Sequence, residues 1–89
     1  ELSEKIKIVD YSTTAIEVAS KATKNSEITT SVPTGYVLIG YLIHGNGYNN
    51  PVLSSVISAS DTKCVVNIYN NDTASRTITV KVRGLYAKV

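Results

Sequence analysis

The chain has 89 residues, with nine Lys plus Arg against seven Asp plus Glu and a single histidine and a single cysteine. That length makes one domain, residues 1–89, with a modest core. The basic residues are scattered rather than gathered with stacking aromatics, which argues against a nucleic-acid partner. One cysteine excludes an internal disulfide, and one His with one Cys gives no metal cluster without carboxylates gathered from elsewhere, so no metal or other cofactor is expected. Val, Ile and Thr number 11, 9 and 10, while Met, Phe and Trp are absent. That is strand-forming material.

No secretory leader pattern and no apolar run of membrane-spanning length is found, so membrane insertion is not expected. The first residue is Glu1 rather than Met. The chain is therefore read as the C-terminal part of a larger protein, with Glu1-Leu2-Ser3-Glu4 the remnant of a linker or stalk.

In chain order, Lys5 to Tyr11 predicts a half-buried strand with Ile6 and Ile8 inward against Lys5 and Lys7. A second strand is expected over Ala15 to Ser20, where Ile16 and Val18 point one way and Glu17 the other, in preference to a helix that the Ala, Glu and Lys of Thr14 to Ala22 would also suit. Lys24-Asn25-Ser26 reads as a turn, followed by a strand over Glu27 to Val32 with Ile28, Thr30 and Val32 on one face. Pro33-Thr34-Gly35 closes it and opens the unbroken apolar run Tyr36 to Ile43. On strict alternation, Tyr36, Leu38, Gly40 and Leu42 share one face and Val37, Ile39, Tyr41 and Ile43 the other. Both faces are apolar. An antiparallel strand ordinarily keeps one wet face, so this one needs a second cover, and in so short a chain the expected cover is another subunit.

The loop His44 to Pro51 follows, rich in Gly and Asn, then a strand over Val52 to Ala59 whose facing is ambiguous. Ser60-Asp61-Thr62 turns the chain into Lys63 to Tyr69, with Cys64, Val66 and Ile68 on one face. Cys64 is expected to be a buried small apolar side chain. After the polar loop Asn70 to Ser75, the last strand runs from Thr77 to Val89, with Ile78, Val80 and Val82 inward. Past Gly84 the apolar residues Leu85, Ala87 and Val89 change parity, which predicts either a bulge or a face passing into a subunit contact; the contact is favoured. About seven strands with regularly spaced turns describe an all-β fold, a small antiparallel β-sandwich of jelly-roll or Greek-key type, or a partly open barrel.

Catalysis is not expected. His44 stands alone, no glycine-flanked nucleophile is present, and Asp10, Asp61 and Asp72 are read as turn residues. Saccharide binding has better material, because sugars need aromatic rings for their C–H faces and planar polar groups for their hydroxyls. The candidate ligand-binding residues are His44, Asn46, Tyr48, Asn49 and Asn50, joined by Asn71 and Asp72 of the second loop. Asn and Gly also serve turns, where positive φ is needed. Tyr48 has no such use in a turn.

The series Ser31-Val32-Pro33-Thr34-Gly35-Tyr36, then Cys64-Val65-Val66-Asn67-Ile68-Tyr69-Asn70-Asn71, then Thr77 to Tyr86 resembles the C-terminal β-domain of tail-fibre and baseplate receptor-binding proteins of phages and prophages of Gram-positive bacteria. The resemblance implies a homotrimeric tip domain in the virion or a prophage-encoded particle. Its outer loops would touch a host cell-wall or surface saccharide. It transfers no catalytic residue. Two alternatives stay open: a monomeric carbohydrate-binding module of a bacterial surface protein or enzyme, and an architectural fibre spacer.

Overall fold

β-branched and apolar residues at alternate positions give eight strands in the computed structural model, which describes residues 5–45 and 52–89. They are β1 (Ile6–Ser12), β2 (Ile16–Val18), β3 (Thr23–Thr29), β4 (Tyr36–Gly45), β5 (Val52–Ala59), β6 (Lys63–Asn70), β7 (Arg76–Ile78) and β8 (Lys81–Lys88). All pairings are antiparallel. Sheet A has the order β1-β8-β4, sheet B pairs β2 with β7, and sheet C has the order β3-β6-β5. None of them closes into a barrel.

Sheet B continues the β1–β8 ladder past a break at Thr13. There Thr13 N–H donates to the Val80 carbonyl (2.9 Å), and Val80 N–H donates to Thr13 Oγ1 (3.0 Å). A buried hydroxyl thus replaces a backbone acceptor and the break costs no orphaned group. The result is elongated, with extents of 47 × 22 × 17 Å.

The inner faces of sheets A and C share one core. Tyr41, Val80 and Val82 from one side meet Ile28, Val52, Cys64, Val66 and Ile68 from the other, with Val18 and Ile78 closing the end. Tyr41 ties the sheets together: its hydroxyl donates to the Ser60 carbonyl and shares a 2.7 Å contact with Thr30 Oγ1.

Four expectations are corrected. The single last strand is two, β7 and β8, separated at residues 79–80. The turn expected at Lys24-Asn25-Ser26 lies inside β3, because the chain has already reversed at Lys21, whose φ of 57° puts it in the left-handed region. Consequently residues 30–32 fall outside any strand. β1 faces the opposite way from its alternation: Ile8 is 56% exposed, while Lys7, Val9 and Tyr11 stand opposite the inward Tyr86, Gly84 and Val82. Lys7 has the inward parity but stays exposed at the end of the sheet, its ammonium 5.6 Å from the centroid of the Tyr36 ring.

Finally, β4 does not alternate strictly. A bulge between Leu38 and Gly40 inserts Ile39 and shifts the phase, so Leu38 and then Tyr41 and Ile43 pack on the core while Val37, Ile39 and Leu42 point away. β8 itself runs straight through Gly84 in register with β1. Its change of parity is therefore a change in which face is apolar.

Candidate functional site

Sheet A places β8 in the middle, so the cross-strand rows define its outward face. The rows are Ile6–Ala87–Val37, Ile8–Leu85–Gly40 and Asp10–Arg83–Leu42. Ile39 bulges out beside the second row. Gly40 has no side chain, and among the described residues nothing beyond its chain neighbours lies within 4 Å of where a Cβ would sit, so Leu85 opposite it is only half-buried and Ile39 is exposed. Ile8, Val37, Ile39 and Leu42 are 56%, 47%, 56% and 56% exposed. Large apolar residues scattered singly on a surface need no explanation, but these flank Leu85 and Ala87 of the central strand from the two outer strands of one sheet face.

The same face ends in charge. Asp10 sits mid-strand in β1 rather than in a turn, and its Oδ1 accepts from Arg83 Nε (3.2 Å). His44 is the extra residue of a second β4 bulge, between Ile43 and Gly45, and its Nε2 stands 4.0 Å from the same Asp10 oxygen. Asp10, Tyr11, Ser12, His44 and Lys81 line an open depression of about 290 Å³.

Below this sheet lies a tyrosine cluster. Tyr11 donates to the Ser31 carbonyl (3.1 Å), which leaves Tyr86 to donate across the 2.8 Å Tyr11–Tyr86 contact. Tyr11 and Tyr41 meet edge to face with centroids 6.5 Å apart. Burial first, and the hydrogen bond to Tyr11 second, push the Tyr86 phenol well above its ordinary pKa.

Of the residues expected to bind a ligand, His44, Asn71 and Asp72 lie within the described residues. His44 lines the depression described above. Asn46, Tyr48, Asn49 and Asn50 lie outside the described residues. Asn71 and Asp72 are engaged internally. Asn71 Oδ1 accepts from Lys21 Nζ (2.9 Å) and Tyr69 Oη (3.3 Å). Asp72 binds Arg76 through its carboxylate and accepts the Thr73 N–H (2.6 Å). The Arg76 hydrogen bond, with help from Thr73 N–H, holds the Asp72 carboxyl below the usual carboxylate range. Asn70, which drew no attention as a ligand, is the buried anchor of that loop: its amide donates to the Val18 and Ala74 carbonyls (both 2.9 Å) and its Oδ1 accepts Asp72 N–H.

Among the described residues no group of three or more His, Cys, Asp or Glu is placed to hold a metal ion, and no helix is long and apolar enough to cross a membrane. No family model, curated protein or solved structure matches this chain.

Proposed function

We propose that this chain is a non-enzymatic assembly domain: a small β-sandwich whose sheet A packs against copies of itself about a threefold axis. This is the role of a tail-fibre or baseplate tip that presents its remaining surface to a host saccharide. The observation that carries the reading is the apolar outward face of sheet A, centred on Leu85 of β8 and built from Ile8, Val37, Ile39 and Leu42.

The sheet edges favour faces over edges as the contact. β4 is interrupted by bulges at Ile39 and His44, β5 by one at Ile57, and β1 carries Lys7 at a position of inward parity. Edge β3 carries Lys24 and Glu27. Bulges and charges of this kind discourage strand-by-strand extension of a sheet.

The magnitude is modest. Fully burying an aliphatic side chain is worth about 1.5–3 kcal/mol, so a half-exposed one has roughly half of that left to gain. Three such faces meeting about the axis would gain roughly 9–18 kcal/mol, against two association steps costing about 4–15 kcal/mol each. Assembly on this face is therefore concentration-dependent. Its partner is a second copy of similar character, because every wet alternative would leave the aliphatic row exposed.

Sedimentation velocity over a dilution series tests the reading. The wild-type chain is expected to sediment as an oligomer at tens of micromolar, and Leu85→Asp and Ile8→Lys as monomers, while Ser55→Asp on sheet C leaves the oligomer intact. A monomer throughout would overturn assembly and leave the carbohydrate-binding module; Leu85→Asp sedimenting like wild type would remove sheet A from the contact.

A further inference from the structure

Sheet C turns outward a face of different chemistry. β6 runs down its middle, so the outward rows are Thr23–Tyr69–Leu53, Asn25–Asn67–Ser55 and Glu27–Val65–Ser58. The inward partners, Cys64, Val66 and Ile68, are fully buried, which fixes the outward direction of Val65, Asn67 and Tyr69 between them.

Two neighbouring rows divide the labour. In the first, Tyr69 stands beside Leu53, which is 65% exposed. The Tyr69 hydroxyl donates to Asn71 Oδ1 (3.3 Å), and Lys21 Nζ holds the same oxygen, so the ring is anchored at its tip. In the second, Asn67 Nδ2 donates to Asn25 Oδ1 (2.9 Å). That bond orients both amides and leaves Asn67 Oδ1 and the Asn25 NH₂ group without partners among the described residues, with the Ser55 hydroxyl on the other flank. The charges at the far end cancel, Lys63 against Glu27 at 3.3 Å.

We propose that this face is a binding platform for a neutral polysaccharide. A pyranose ring offers an apolar C–H face and a rim of hydroxyls that donate and accept. Tyr69 with Leu53 meets the first, and the Asn67–Asn25 pair with Ser55 meets the second. The three rows carry no unbalanced charge and the Lys21 ammonium at their end is held by two Asn71 oxygens (2.9 Å each), which disfavours an anionic polymer, and the amide row disfavours a lipid surface. Three strands span about 10 Å and residues 65 to 69 about 13 Å, so the platform suits a run of sugar units rather than one ring. The inference deepens the recognition part of the proposed function and moves it from the loops to the sheet. It does not depend on the assembly part. Asn71 enters as a positioning residue for Tyr69.

Affinity electrophoresis in native gels containing hydroxyethylcellulose, xylan or galactomannan, with alginate as the charged comparison, tests this. The chain is expected to be retarded by at least one neutral polymer and not by alginate. Tyr69→Ala should weaken retardation about tenfold or more, and Asn67→Ala and Tyr69→Phe, which loses the Asn71 anchor but keeps the ring, by several-fold. Asn67→Ala decides the matter should Tyr69→Ala lose its circular-dichroism signature. Leu85→Asp is expected to be retarded still, which separates this site from the assembly face. Absence of retardation by all three neutral polymers, retardation by alginate alone, or full retardation of Asn67→Ala and Tyr69→Ala would each overturn the platform. So would a changed oligomeric state in Tyr69→Ala, which would assign the face to copy–copy contact.

Discussion

Gly84→Ala puts the smallest possible side chain against the tyrosine cluster. A Cβ at Gly84 would lie 2.8 Å from Tyr86 Oη, 2.9 Å from Tyr86 Cε2 and 3.0 Å from Tyr11 Cε2. Tyr86 is fully buried and its ring folds back over Gly84 from two positions along the same strand, so it has nowhere to retreat. Either the ring shifts and gives up its 2.8 Å bond to Tyr11, or β8 moves away from both neighbours. Overpacking of this kind costs about 1–3 kcal/mol, and a buried hydroxyl left unpaired about 1–3 kcal/mol. Replacing a strand glycine by alanine returns about 0.5–1 kcal/mol. The net expectation is a loss of about 1–5 kcal/mol, a large part of the stability of a small domain. In urea, followed by circular dichroism at one fixed protein concentration, the midpoint should fall by about 1–3 M. Gly45→Ala is the control, since among the described residues its Cβ would meet Lys81 alone, at 4.0 Å, and it should stay within about 0.5 kcal/mol of wild type. A Gly84→Ala midpoint equal to or above wild type would refute the reasoning.

The raised Tyr86 pKa means that the fold holds this proton more tightly than the unfolded chain does. The associated stability is complete below the unfolded value of about 10 and declines as pH rises beyond it, so urea midpoints should fall above about pH 10, and less steeply in Tyr86→Phe. Cys64 is fully buried and its thiol is pushed up by that burial, so an aromatic disulfide reagent should leave it untouched in the native chain and titrate one thiol in denaturant; rapid native reaction would contradict its placement. Ser54 Oγ is buried without a partner among the described residues, so Ser54→Ala should be neutral or stabilising by up to about 1 kcal/mol in the same urea assay, and a clear loss would reveal a partner.

Residue alternation alone was enough to place β6 and the inward row Ile78, Val80 and Val82, because each carries an uninterrupted run of β-branched or small apolar residues at period two. It also marked Leu85 and Ala87 as changing sides at Gly84. What alternation could not carry is a phase shift without a sequence mark. Ile39 sits in an all-apolar run, where a bulge exchanges residues between the faces yet leaves both of them apolar. β1 was reversed because a lysine lying over an aromatic ring reads as outward in any periodic pattern. The turn at Lys21 was hidden for a similar reason: a lysine at positive φ is uncommon, while Lys24-Asn25-Ser26 has turn composition but serves as a strand against Asn67.

For the site, the loops drew attention through their Asn content, yet Asn71 and Asp72 are occupied by Lys21, Tyr69 and Arg76. The two outward faces depend on which strands lie side by side. Asn25 and Asn67 are 42 positions apart, and only the β3–β6 register makes them a pair.

The account rests on sheet A being covered by another copy, and methyl NMR with a soluble gadolinium chelate reads that cover residue by residue. Within one protomer Ile39 and Ile57 are equally exposed, at 56% and 53%, as are Leu42 and Leu53 at 56% and 65%. A neighbour on sheet A breaks the equivalence: at tens of micromolar the Ile39 and Leu42 methyls should be protected from broadening while those of Ile57 and Leu53 broaden fully. Equal broadening of both sets would contradict the account.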